Sequence, residues 1–126
     1  MKKYLLDTHT AIWYFENNGK LSLKVELIID DPENNINISS ASLWEIAIKV
    51  SGKKLDLSFM EFLDKLRIAN FPVMQFENSY LSKLINLPFV HKDPFDRLLI
   101  ATAMAEKMAI LTADENIHKY DVDWVW

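Results

Sequence analysis

Short apolar runs alternate with helical patterns from one end of this chain to the other, and that alternation restricts the fold more than any other feature. Residues 4–6 read as a buried strand, followed by a helix over 8–15, and Asn17-Asn18-Gly19 is turn chemistry. A second helix is expected over 22–29, ended by Asp30-Asp31-Pro32. Residues 35–39 alternate apolar and polar about Ile36 and Ile38, as a short strand does. Ser42 is expected to open a helix running to about Val50, with Gly52 as its stop. Another helix spans 58–68 through Phe59, Phe62, Leu63 and Leu66. Residues 71–76 read as a strand and 78–86 as a helix closed by Pro88. The longest helix begins at Asp93, which caps it, with Pro94 at its first position. A strand over 109–112, a helical turn over 115–118 and a last strand over 122–126 complete the chain. Strands separated by helices cannot pair as hairpins, so the expected class is α/β with a parallel sheet.

Four acidic residues fall at the joints of this pattern: Asp7, Glu45, Asp96 and Asp114. Each follows a strand-like run or lies in the first turn of the next helix. In a parallel sheet those joints share the carboxyl edge, where such folds bind ligands. Each acid also has a local reading. Asp7 and Asp114 could cap the helices they precede, and Ser42 with Glu45 matches a capping box. Asp96, three residues after the Asp93 cap, suits the positive end of a helix dipole. Caps need no common destination, however, and Ser, Thr or Asn would serve as well. Acid at all four joints points instead to a shared site, in which a cation offsets the mutual repulsion.

An all-oxygen donor set suits Mg²⁺ or Mn²⁺ better than zinc. Such a site supports hydrolytic phosphodiester chemistry. Thr8 and Thr112 lie close enough in sequence to orient a ligand, or serve only as turn and strand-end hydrogen bonders. His91, near Asp93, could touch substrate or be a satisfied loop histidine. Arg97, beside Asp96, could bind phosphate or pair with a carboxylate.

Other chemistries lack their signatures. There is no glycine-rich turn after the first strand for a dinucleotide or P-loop site. No G-x-S-x-G elbow is present. His9, His91 and His118 are too scattered for a zinc trio. A phosphatase with Asp7 as nucleophile would want a second acid at position 9, which is His. Without cysteine there is neither a disulfide framework nor a thiolate site. The formal net charge of −4 argues against a protein that coats nucleic acid, but not against a nuclease, whose metal-binding acids lower the net charge. Lys49, Lys53, Lys54, Lys92 and Arg97 remain as phosphate contacts. At 126 residues one domain over 1–126 is expected. No apolar run is long enough to cross a bilayer, and the stretch after Lys2-Lys3 is broken by Asp7 and His9, unlike a signal peptide. A cytoplasmic location is the expectation.

The stretches Leu5-Leu6-Asp7-Thr8-His9, Ser39-Ser40-Ala41-Ser42-Leu43-Trp44-Glu45-Ile46, residues 91–101 with Asp93-Pro94-Phe95-Asp96-Arg97, and Leu111-Thr112-Ala113-Asp114 resemble the PIN domain family. Within it they are similar to the VapC-like toxins of bacterial toxin–antitoxin pairs. The resemblance spans the chain in the family's order. It implies a three-layer α/β/α fold with a central parallel sheet, Mg²⁺- or Mn²⁺-dependent endoribonuclease activity and a homodimer. It also implies an antitoxin that binds the protein and occludes or disorders the site. By position it selects Asp7, Glu45, Asp96 and Asp114, the set reached from the joints, and it matches Thr112 to a Ser or Thr near the metal. Asp93 is an extra acid whose role, ligand or cap, stays open.

Both lines give one mechanism. Asp7, Asp96 and Asp114 would hold one or two Mg²⁺ ions, and Glu45 would be a ligand or the general base for an attacking water. The alternatives are a housekeeping PIN nuclease acting in RNA processing or DNA cleavage, and a non-catalytic interaction module. Trp13, Tyr14, Phe15, Trp44, Phe59 and Phe62 sit on expected helices, where core is the better guess for each. A domain of this size need not bury all six, and any left exposed would mark an interface.

Overall fold

The computed structural model describes residues 2–126; Met1, first residue of the expected domain, lies outside the described residues. The elements in chain order are β1 (Lys3–Leu6), α1 (Thr8–Glu16), α2 (Leu23–Asp30), β2 (Asn35–Ser39), α3 (Ser40–Ser51) and α4 (Phe59–Ile68). They continue with β3 (Val73–Met74), α5 (Asn78–Ile85), α6 (Pro94–Glu106), β4 (Ala109–Leu111), α7 (Glu115–His118) and β5 (Trp124–Val125). The strands form one parallel sheet in the order β3-β2-β1-β4-β5, which puts β1 at the centre with β4 beside it.

The pleat divides the core into two layers. Tyr4 and Leu6 of β1, Ile36 and Ile38 of β2 and Leu111 of β4 face one side. There they pack on Ala11 and Ile12 of α1, Val25 and Ile29 of α2, Ile46 of α3, and Phe62 and Leu66 of α4. Leu5 and Ile110 point the other way, onto Leu99, Ile100 and Ala103 of α6 and onto Ile117 and Tyr120. Both faces of the central strands are therefore covered, as the uninterrupted burial of Tyr4, Leu5 and Leu6 requires. Fully burying each such Leu or Ile contributes roughly 1.5–3 kcal/mol. The result is a three-layer α/β/α fold.

Several boundaries differ from the sequence pattern. β3 and β5 keep only two residues each of the runs expected over 71–76 and 122–126, because both are edge strands paired on one side alone. α3 begins at Ser40 rather than Ser42. Ser39, still extended, ends β2 and accepts a hydrogen bond from the Ala41 N–H, so the capping box expected at Ser42 and Glu45 does not form. The left-handed residues at two expected turns are Asn17 and Lys53, not Gly19 or Gly52. α6 starts as expected: the Asp93 carboxylate accepts from the Asp96 N–H, and Pro94 occupies the first turn. Of the aromatic residues on the helices, Phe62 is core, while Trp44 stays 57 % exposed. Among the described residues no helix is long and apolar enough to cross a membrane.

Candidate metal centre

Parallel strands all end at one edge of the sheet, and α6, returning toward β4, begins at that same edge. Asp7 directly follows β1, and Asp114 follows β4 by three residues. Glu45 stands in the second turn of α3 after β2, and Asp96 in the first turn of α6. Their charges act on one another. Asp7 is repelled by Asp114 and Glu45, and Asp96 by Asp7, Asp93 and Asp114.

Asp7 occupies the cap position of α1 but does not cap it. Its Oδ2 instead accepts a hydrogen bond of 2.7 Å from the Thr112 hydroxyl, which is wholly buried at the end of β4. The same hydroxyl accepts from the Asp114 N–H at 3.0 Å, so one threonine positions two of the acids. Thr10 donates to the Leu111 carbonyl at 2.8 Å and fastens α1 to the same strand end. Thr8 donates to the Ser42 hydroxyl at 2.8 Å, holding α1 against α3.

The remaining acids are tied in the same one-sided manner. Glu45 Oε2 pairs with Lys49 Nζ at 2.7 Å, one helical turn on. Asp96 Oδ2 meets His91 Nε2 at 2.8 Å. Asp114 Oδ1 accepts from the Asn116 N–H at 2.9 Å, so Asp114 is a cap as well as a member of the cluster. In each carboxylate the protein holds one oxygen and leaves the other for a ligand. Glu45 Oε1 shows this most sharply: it is buried and has no hydrogen-bond partner.

These carboxylates are costly to ionise together. Burial pushes the Asp7 carboxyl above the usual range; the Thr112 hydrogen bond and His9 oppose this, and Asp114 and Glu45 add to it. Asp96 is pushed up to about 7, first by burial and next by the Asp7 charge, against the pull of its His91 hydrogen bond. A buried acceptor without a donor costs about 1–3 kcal/mol, and more when charged. A hard divalent cation would satisfy Glu45 Oε1 and remove the repulsion, so the donor chemistry fits Mg²⁺ or Mn²⁺.

The tightest donor group is a different one. Among the described residues, the cluster whose ligand atoms all lie within 4.8 Å of one another is His91, Asp93 and Asp96. It shares Asp96 with the four-acid set and brings in His91, which the sequence offered as a substrate contact or a loop histidine rather than as a ligand.

Arg97 corrects the sequence reading. It neither pairs with a carboxylate nor presents itself to a phosphate. The residue is buried, and its guanidinium donates to the carbonyls of Pro88 at 2.9 Å and of Leu84 and Leu87 at 3.4 Å. It also donates to the Tyr120 hydroxyl at 3.2 Å and lies 4.2 Å from the Phe89 ring centre. Tyr120 completes the clamp by donating to the Pro88 carbonyl at 2.9 Å and accepting from the His91 N–H at 3.0 Å. Together they fasten residues 87–91 and so set the position of His91. His118 anchors the other side, with Nε2 bonded to the Thr112 carbonyl at 2.8 Å and its ring stacked on Trp124 at 3.5 Å. Nothing local marks Tyr120, whose partners lie in another segment, and His118 reads from the sequence only as a candidate zinc ligand. The Glu45–Lys49 pair was readable from its i,i+4 spacing.

Comparison with solved structures places this arrangement in a known fold. The chain is similar to the VapBC2 structure from Rickettsia felis, bound to a DNA fragment from their promoter, with a TM-score of 0.74 and 19% identity over 98% of each chain. DNA-bound VapBC from Salmonella typhimurium gives a TM-score of 0.68 at 16% identity, covering 99% of this chain and 98% of that one. VapBC-1 from nontypeable Haemophilus influenzae gives 0.66 at 14%, covering 98% and 96%. No curated protein matches the sequence. Residues 4–123 match the family model described as PIN domain. With nearly its whole length matched, the chain belongs to the PIN domain family.

Proposed function

We propose that this chain is a divalent-metal-dependent endoribonuclease and the toxin of a two-protein toxin–antitoxin pair, working as a single cytoplasmic domain over 1–126. One observation carries the catalytic part. Glu45 Oε1 is buried without a partner in a cluster where Asp7 and Asp96 already repel each other, an arrangement that a cation completes. The toxin part is supported by likeness to structures that are VapBC assemblies, and by the PIN motifs running through the chain. An antitoxin protein, an RNA substrate and a second copy of the chain are the partners this reading requires.

Asp7, Asp96 and Asp114 would hold the ion, with Glu45 as a further ligand or as the base that takes a proton from the attacking water. When bound, Mg²⁺ or Mn²⁺ supplies Lewis acidity toward water and toward the phosphodiester oxygens. The chain does the rest. Thr112 fixes the Asp7 carboxylate and the Asp114 backbone in one register, and Lys49 holds Glu45 by its second oxygen. The step in this reading is attack by water in line with the leaving oxygen, with no side chain becoming covalently attached.

The test is cleavage of total cellular RNA with Mg²⁺, with EDTA, and with Asp96→Asn as control. Discrete fragments from the native protein with metal, and from neither control, are expected. Fragments that persist in EDTA or with Asp96→Asn would overturn the assignment.

A further inference from the structure

Four carboxylates alone would make the centre purely oxygen-lined, yet a nitrogen stands inside the donor group of His91, Asp93 and Asp96. His91 Nε2 lies 2.8 Å from Asp96 Oδ2, and both lie within 4.8 Å of an Asp93 carboxylate oxygen. Two donors at right angles on an octahedral cation sit roughly 3 Å apart, and opposite donors roughly 4 Å. The His91–Asp96 separation suits neighbouring donors on one ion, and Asp93 lies near enough to join them with a side-chain adjustment. Asp93 is available in part: Oδ1 caps α6 through the Asp96 N–H, and its second oxygen is not used by that bond.

His91 is also held in place. Its own N–H donates to Tyr120, and Arg97 grips the carbonyls just before it through a buried fork. Side-chain exposure of 19 % for His91 and 13 % for Asp96 leaves the pair reachable by an ion, though largely sheltered from bulk water.

We infer that His91 is a nitrogen ligand of the cation held by Asp96, with Asp93 beside it, so that the centre selects Mn²⁺ over Mg²⁺. The inference rests on the metal-centre reading above and deepens it by naming the ion. Mg²⁺ takes oxygen donors and dehydrates reluctantly, whereas imidazole raises affinity for transition ions. To ligate, Nε2 gives up its hydrogen bond to Asp96 Oδ2 and presents its lone pair, with the ring proton on Nδ1.

The experiment is pulsed electron paramagnetic resonance of Mn²⁺ bound to the native protein, with calorimetric titration of Mn²⁺ and Mg²⁺ alone into native, His91→Gln and Asp96→Asn proteins. Expected are a ¹⁴N modulation from one imidazole, absent in His91→Gln, and a Mn²⁺:Mg²⁺ affinity ratio that falls about tenfold in that variant. Gln offers an oxygen in place of the nitrogen, so Mg²⁺ binding should survive. Mn²⁺ that binds, is lost with Asp96→Asn, but shows no ¹⁴N coupling would overturn the nitrogen ligand and leave the carboxylate centre standing. Failure of either ion to bind the native protein would overturn both.

Discussion

Asp7 and Asp96 bring like charges into one cluster, yet the protein holds them in different ways. Asp7 sits at the end of the central strand, and its carboxylate is fixed by a hydroxyl from the neighbouring strand end, wholly inside the fold. Asp96 stands at a helix start beside a loop, and its partner His91 belongs to that loop. The loop is shaped by Arg97 and Tyr120 rather than by the sheet. One half of the centre is therefore as rigid as the sheet itself, and the other is as rigid as a single buried guanidinium makes it. Substitutions should separate the two.

The largest effect is expected at Asp7. Asp7→Asn keeps the shape but removes a charge at a buried position at the end of the central strand, so RNA cleavage should fall by more than about 10³-fold with the fold intact. Cleavage within tenfold of native would place the chemistry elsewhere.

Arg97→Ala tests the loop half. Removing the guanidinium strands several carbonyls and the Tyr120 hydroxyl, at a cost of about 3 kcal/mol in unfolding free energy. Hydrogen exchange should quicken at residues 87–91 while amides of β1 and β4 keep their order of protection. Uniform quickening would mean that the two halves are not separate.

The pH dependence of the metal-free protein probes the repulsion between the halves. Asp96 titrates near 7 in the fold and near 3.8 when unfolded, so the folded state binds the extra proton between those values. That contribution is complete below about pH 4 and is lost as pH rises through about 7. Asp7, also raised, acts in the same direction. The unfolding free energy from denaturant titration should fall between pH 5 and pH 8 by on the order of a few kcal/mol, and Asp96→Asn should flatten the curve. A native protein that gains stability over that interval would contradict the account.

Thr112→Val is the mildest change. It keeps volume but removes the donor to Asp7 and the acceptor for the Asp114 N–H. Metal affinity should drop about tenfold by calorimetry. An equal loss in the Mn²⁺:Mg²⁺ ratio is not expected, because that ratio is assigned to the loop half.

The same division governs what the sequence could reveal. The strand half was legible: β1 and β4 are near-continuous apolar runs, and the acids that end them can be counted along the chain. The α6 start was legible as well, since Asp93-Pro94 is a local signal. The loop half was not. Arg97 next to Asp96 looks like a phosphate or carboxylate partner, because nothing local shows its side chain turning to carbonyls nine to thirteen residues back. Tyr120, some twenty-three residues on, is equally silent. Ser42 misled for the opposite reason: its capping pattern is local, but its hydroxyl was taken by Thr8 across the interior. Edge strands β3 and β5 were overdrawn because apolar residues that pack on a core need not pair along their whole length.

The proposed chemistry turns on whether the buried carboxylates form a cation site. The most direct test is anomalous diffraction from crystals soaked in Mn²⁺. A peak in contact with Asp7, Asp96 and the partnerless Glu45 Oε1 is expected. A fully soaked crystal with no peak there, or with a peak that leaves Glu45 and Asp7 untouched, would contradict that site.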